Sequence, residues 1–184
     1  MQITDLKTLD YPPLTDDLEE AKSHLDKYGM ALIKDVLSQE EVEEMDHRLN
    51  EQFLGEEKYQ VGSKIRGDEG FGIESSEEEK VSRLVWNLIN KGDCFLKLID
   101  HPKILPLIQH MIGERVCLCS MGAHMNGSGN ERMALHQDQW PLVPHPMKFP
   151  FMANVMYLIS DNSPENGGTR LIPGSHNWPL IDYK

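Results

Sequence analysis

Apolar positions in the first part of the chain recur mostly at helical spacing. Those after residue 114 gather in short runs broken by Gly, Pro and Asn. Thr15 or Asp16 can cap a helix reaching Tyr28, with Leu18, Ala21 and Leu25 on one stripe and Gly29 placed to end it. Met30–Val36 is short and apolar, which predicts a strand. Ser38 followed by Glu41 forms a capping box, and Val42, Met45, Leu49 and Phe53 supply the buried stripe of a second helix. Gly55–Ser76 has little periodicity and reads as a long irregular segment able to cover a pocket. Val81, Leu84, Val85, Leu88 and Ile89 predict a third helix over Glu77–Asn90, and a helix pair follows over Cys94–Ile99 and Pro102–Ile112. Strands are expected at Val116–His124, Ala134–Asp138, Ala153–Ile159 and Thr169–Ile172. Helices first and strands afterwards predict an α+β fold with helices packed on an antiparallel sheet. A single domain over 1–184 is expected, mainly helical over 1–113 and mainly β over 114–184.

Composition narrows the function classes. A chain of 184 residues with 39% apolar and 26% charged residues suits one globular domain with a core. A formal charge of −12 disfavours nucleic acid, which needs a basic footprint. No apolar run approaches the roughly 18 residues that span a bilayer, so no membrane partner is expected. The first residues lack a basic start followed by an apolar stretch, which predicts a cytoplasmic protein. The acidic runs Asp16–Glu20, Glu40–Glu44, Glu56-Glu57 and Glu74–Glu79 read as solvated faces or loops. Cys94, Cys117 and Cys119 are an odd set and read as buried, reduced thiols. Asn126-Gly127-Ser128 fits a glycosylation acceptor but reads here as a turn.

The chemistry concentrates in Leu135-His136-Gln137-Asp138-Gln139-Trp140. On a strand, His136 and Asp138 share a face and can reach one metal ion. One imidazole and one carboxylate are two corners of the facial triad that holds non-haem Fe(II). Phe151–Asp161 then gives a hydrophobic strand ending in Asp. Glu165-Asn166-Gly167 and Pro173-Gly174-Ser175-His176 follow in order. Together these segments resemble the phytanoyl-CoA dioxygenase family of Fe(II)- and 2-oxoglutarate-dependent oxygenases, over nearly all of the chain.

That resemblance implies a double-stranded β-helix, a jelly-roll or cupin-like pair of sheets with iron between them. It implies Fe(II) and 2-oxoglutarate as cofactors, ascorbate as reductant, and molecular oxygen with a small organic molecule as substrates. Hydroxylation or a related oxidation is the implied outcome, because halogenating relatives carry a small residue where Asp138 stands. His136 and Asp138 become the metal ligands, and Met121 and Asn154 become candidates for touching the cofactor. Gln137, Trp140 and Arg170 are candidates for the substrate, with His124, His145, Lys64 and Arg66 at the pocket mouth. His24, His47, His101 and His110 are expected at the surface. In the family the second metal His and an Arg for 2-oxoglutarate lie past the Pro-Gly-Ser-His segment. No His or Arg follows His176 here, which predicts an incomplete roll and a fragment inactive by itself. Two other readings stay open: a non-catalytic β-roll fragment, and a cupin-like metalloprotein with His176 as third ligand.

Overall fold

The computed structural model describes residues 9–61, 63–66, 81–126, 136–139 and 149–178. In chain order the elements are β1 (Leu14–Thr15), α1 (Leu18–Tyr28), β2 (Leu32–Ile33), α2 (Gln39–Lys58), β3 (Ser63–Arg66) and β4 (Val81–Trp86). Then come α3 (Asp93–Leu96), α4 (Leu105–Ile112) and β5 (Gly122–Met125). Three 3-10 turns lie at Leu88–Asn90, Pro164–Asn166 and Ser175–Asn177.

Side-chain caps begin both long helices. Asp17, and not Thr15 or Asp16, caps α1 by accepting the Glu20 N–H, because the helix begins at Leu18; Gly29 ends it as expected at φ 72°, a left-handed conformation that glycine adopts without strain. Ser38 and Glu41 cap α2 reciprocally, with Ser38 Oγ accepting from Glu41 N and Glu41 accepting from Ser38 N. These bonds hold the Glu41 carboxyl below the usual carboxylate range.

Three of the four residues of the predicted α2 stripe, Met45, Leu49 and Phe53, are buried and cluster with Val85 of β4, Leu88, Cys94, Phe95 and Leu98, while Val42 is half-buried. Side chains of this kind each contribute about 1.5–3 kcal/mol on burial, so this helix-on-sheet contact is the principal core. On α1 the buried positions are Ala21 and His24, so His24 is not the surface residue expected.

Among the described residues the architecture is α+β. β1 and β2 pair in parallel, and β3-β4-β5 form an antiparallel sheet in which Leu84 lies opposite both Ser63 and His124. These sheets are small, and no jelly-roll is formed among the described residues.

Several predicted elements differ. Residues 81–86 are a strand and not part of a helix. Val81, Arg83 and Val85 alternate with Ser82, Leu84 and Trp86, and β-branched and aromatic side chains favour the pleat over the helical reading of the same run. Asn87 at φ 56° then breaks the chain into the 3-10 turn. Residues 55–58 complete α2 instead of opening an irregular segment, and β3 forms within it. The remainder of the expected lid, 67–76, lies outside the described residues.

The strand expected from Val116 begins only at Gly122, and that expected over Met30–Val36 shrinks to β2. Residues 151–159 and 169–172 run without ladder partners among the described residues. Cys117 and Cys119 are accordingly exposed rather than buried, while Cys94 is buried, which pushes its thiol pKa up. No helix among the described residues is long and apolar enough to cross a membrane.

Candidate metal centre

The His136–Asp138 segment is not a strand. Residues 136–137 are in irregular conformation and 138–139 form a turn, while 134–135 lie outside the described residues. The two side chains nevertheless meet: His136 Nε2 stands 3.2 Å from Asp138 Oδ1, with both groups partly open to solvent. Two donors each about 2.1 Å from one ion and at right angles to each other stand about 3.0 Å apart. The observed separation therefore suits neighbouring ligands of one octahedral ion. Imidazole with carboxylate is also the donor set that non-haem Fe(II) takes. Among the described residues no third His, Cys, Asp or Glu joins them.

A second segment is bound to this turn. Gln139 Oε1 accepts the backbone N–H of Phe151 at 2.9 Å and of Met152 at 3.1 Å. Asn154 Nδ2 donates to Asp138 Oδ2 at 2.5 Å. Further along, Tyr157 and Ile159 pack against the helical core. The Tyr157 hydroxyl donates to the Leu98 carbonyl at 2.9 Å, and burial pushes its pKa up to about 12. Met156 and Leu158 are both 56% exposed, on alternate positions shared with Asn154. Tyr157 and Ile159 thus fasten the segment to the core, while Asn154 reaches Asp138 and Met156 and Leu158 stay open to solvent.

The other candidates fall in different places. Asn154 meets the His136–Asp138 pair through Asp138, whereas Met121 packs on the hydrophobic core. The methionine follows its apolar side chain: Leu88 N–H bonds to the Met121 carbonyl and draws this residue onto the helix-covered face. Gln137 is half-buried and Arg170 is exposed. Trp140 and His145 lie outside the described residues.

His176 is not brought to His136 and Asp138. Its Nε2 lies 3.3 Å from the Asp26 carbonyl and 2.9 Å from the Asn177 side-chain amide, and its ring packs over Gly29. Gly174 N–H bonds to the Tyr28 carbonyl at 2.7 Å, so the Pro-Gly-Ser-His turn docks on the end of α1. Asp26 itself pairs with His110 at 2.8 Å. Sequence reasoning left Gln139 without a role. Gln137 and Gln139 are chemically identical neighbours of Asp138, and nothing in spacing separates the one that binds backbone.

The chain is 28% identical over 165 residues to a dioxygenase named af480 of Aspergillus fumigatus, covering 90% of this chain and 51% of the relative. It is 24% identical to dioxygenase sphC of the same species, covering 89% and 46%. It is 27% identical to a probable alpha-ketoglutarate-dependent hypophosphite dioxygenase of Stutzerimonas stutzeri, covering 90% and 56%. The chain spans about half the length of these curated relatives. No solved structure matches. The profile of the phytanoyl-CoA dioxygenase (PhyH) family matches residues 25–184, and the chain belongs to that family.

Proposed function

We propose that the chain is the iron-binding part of an Fe(II)- and 2-oxoglutarate-dependent dioxygenase that oxidises a small organic substrate, in a domain whose β part completes a double-stranded β-helix. The observation that carries the reading is the 3.2 Å approach of His136 Nε2 to Asp138 Oδ1 beside an open, partly apolar face. Membership of the PhyH family supports it, as does a relative whose name specifies alpha-ketoglutarate dependence.

His136 and Asp138 would hold the ion, and a third ligand is sought outside the described residues. When bound, Fe(II) with 2-oxoglutarate and oxygen supplies the oxidising power that side chains lack. The protein contributes position. The turn at 138–139 aims the carboxylate, Asn154 engages its outer oxygen, and Gln139 fixes the neighbouring segment. Met156 and Leu158 offer apolar surface next to Asn154, suited to an organic substrate and to excluding water once covered. A site with His176 as third ligand gains no support, because that imidazole is engaged at the end of α1.

The test is succinate release from 2-oxoglutarate with Fe(II) and ascorbate, using protein expressed from the complete reading frame. Turnover is expected in the parent and absent in His136→Ala and Asp138→Ala. Turnover that survives either substitution refutes the ligand assignment.

A further inference from the structure

We infer that Gln139 is a positioning residue: its side-chain carbonyl staples the segment at 151–152 to the metal-binding turn and thereby holds Asn154 on Asp138. The inference rests on the metal reading above and adds to it a residue that does not touch the metal.

Successive N–H groups of a regular strand point to opposite sides. Those of Phe151 and Met152 instead converge on one acceptor, Gln139 Oε1, at 2.9 and 3.1 Å. Two backbone donors of a segment without ladder partners among the described residues are satisfied by a single side chain. That side chain leaves the residue directly after Asp138, so the two stretches of chain are locked at fixed separation. Asn154 lies two residues beyond Met152, and its amide reaches Asp138 Oδ2. With one carboxylate oxygen occupied by Asn154, the other, Oδ1, is the one turned to His136 Nε2 at 3.2 Å. The staple therefore selects which oxygen Asp138 offers. It also biases the carboxylate to bind an ion through one oxygen, which leaves one more coordination position open to reactants. Residues that orient ligands in this way commonly change metal affinity about 10–100-fold when removed.

The experiment is a Co(II) titration of protein from the complete reading frame, paired with NMR amide exchange at Phe151 and Met152. The variants are Gln139→Ala, Gln139→Glu, Asn154→Ala and the double Gln139→Ala/Asn154→Ala. Gln139→Ala is expected to release both amides and weaken Co(II) binding about tenfold. Asn154→Ala should weaken binding to a similar degree while the amides stay protected. Because Gln139 acts through Asn154, the double variant should be no weaker than Gln139→Ala alone. Gln139→Glu keeps an acceptor oxygen and should keep both protection and affinity, which separates loss of the staple from loss of fold.

Amides that stay protected in Gln139→Ala, affinity that stays at the parent value, or fully additive losses in the double variant each overturn the inference. If the parent takes up no Co(II) while its amides are protected, the metal reading falls, and the positioning role falls with it.

Discussion

Removing one oxygen atom, by Tyr157→Phe, tests how the segment that carries Asn154 is anchored to the helical core. The Tyr157 ring packs against that core, and its hydroxyl donates to the Leu98 carbonyl at 2.9 Å. Leu98 is only 8% exposed, so its carbonyl gains little from water when the hydroxyl is lost. Phenylalanine preserves the ring contacts and removes the bond, at an expected cost of about 1–2 kcal/mol.

The pH dependence provides an independent sign. A tyrosine in the unfolded chain loses its proton near pH 10. Burial raises Tyr157 to about 12 in the fold. Between those values the folded state holds a proton that the unfolded state has released, so stability falls as pH rises from about 10 to about 12. Below about pH 10 the group contributes no slope. The full shift corresponds to roughly 2.7 kcal/mol, and the partial exposure of the ring reduces this to about 1 kcal/mol. Tyr157→Phe lacks the titrating group, and the remaining tyrosines are common to both proteins.

Urea unfolding at about pH 8 and about pH 11 should therefore show the variant less stable by about 1–2 kcal/mol at the lower pH, with the gap narrowing at the higher. A gap of zero at the lower pH, or one that does not change with pH, refutes the reasoning.

Other perturbations read other joints of the fold. Glu56 is 8% exposed and accepts Gln52 Nε2 at 2.8 Å and Lys91 Nζ at 3.2 Å. Lys91→Met should cost about 1 kcal/mol in urea unfolding, the ammonium being partly exposed, and Glu56→Leu on the same background should recover most of it. Ser38→Ala removes the N-cap of α2 and should lower stability by about 1 kcal/mol in the same assay, the loss being smaller when the residue is Asn or Asp. Gly29→Ala places a side chain at φ 72° and drives it into the His176 ring, so thermal unfolding should shift as for a loss of about 2 kcal/mol.

How far the chain could be read from its residues differs from element to element. Helix α2 was legible because a capping box and a four-residue stripe agree on one start and one face. Helix α1 was legible from its apolar stripe and its terminal glycine, but its cap is Asp17 and not Thr15 or Asp16, and His24 joins Ala21 inside, a placement that polarity alone argues against. The strand at Val81–Trp86 was misread because its apolar residues satisfy helical spacing and alternation together. The pairing with β3 and β5 that decides between them is not local. The pairing of His136 with Asp138 was anticipated, but by way of strand geometry, whereas a turn performs it.

Met121 went to the core since its neighbour Leu88 binds its backbone, a contact from 33 residues away in the chain that sequence does not signal. Gln139 was invisible for the same reason: its partners are main-chain atoms, which carry no residue signature. Family resemblance supplied what residue patterns could not, namely the meaning of the order of motifs, and the family profile over residues 25–184 bears that resemblance out.

The central claim is that His136 and Asp138 grip one ion. Anaerobic calorimetric titration of Fe(II) into protein from the complete reading frame, with 2-oxoglutarate present, tests it most directly. One site per chain is expected, weakened by at least about 100-fold in both His136→Ala and Asp138→Ala, beyond what loss of a merely supporting residue produces. Fe(II) affinity unchanged in either variant would contradict the account.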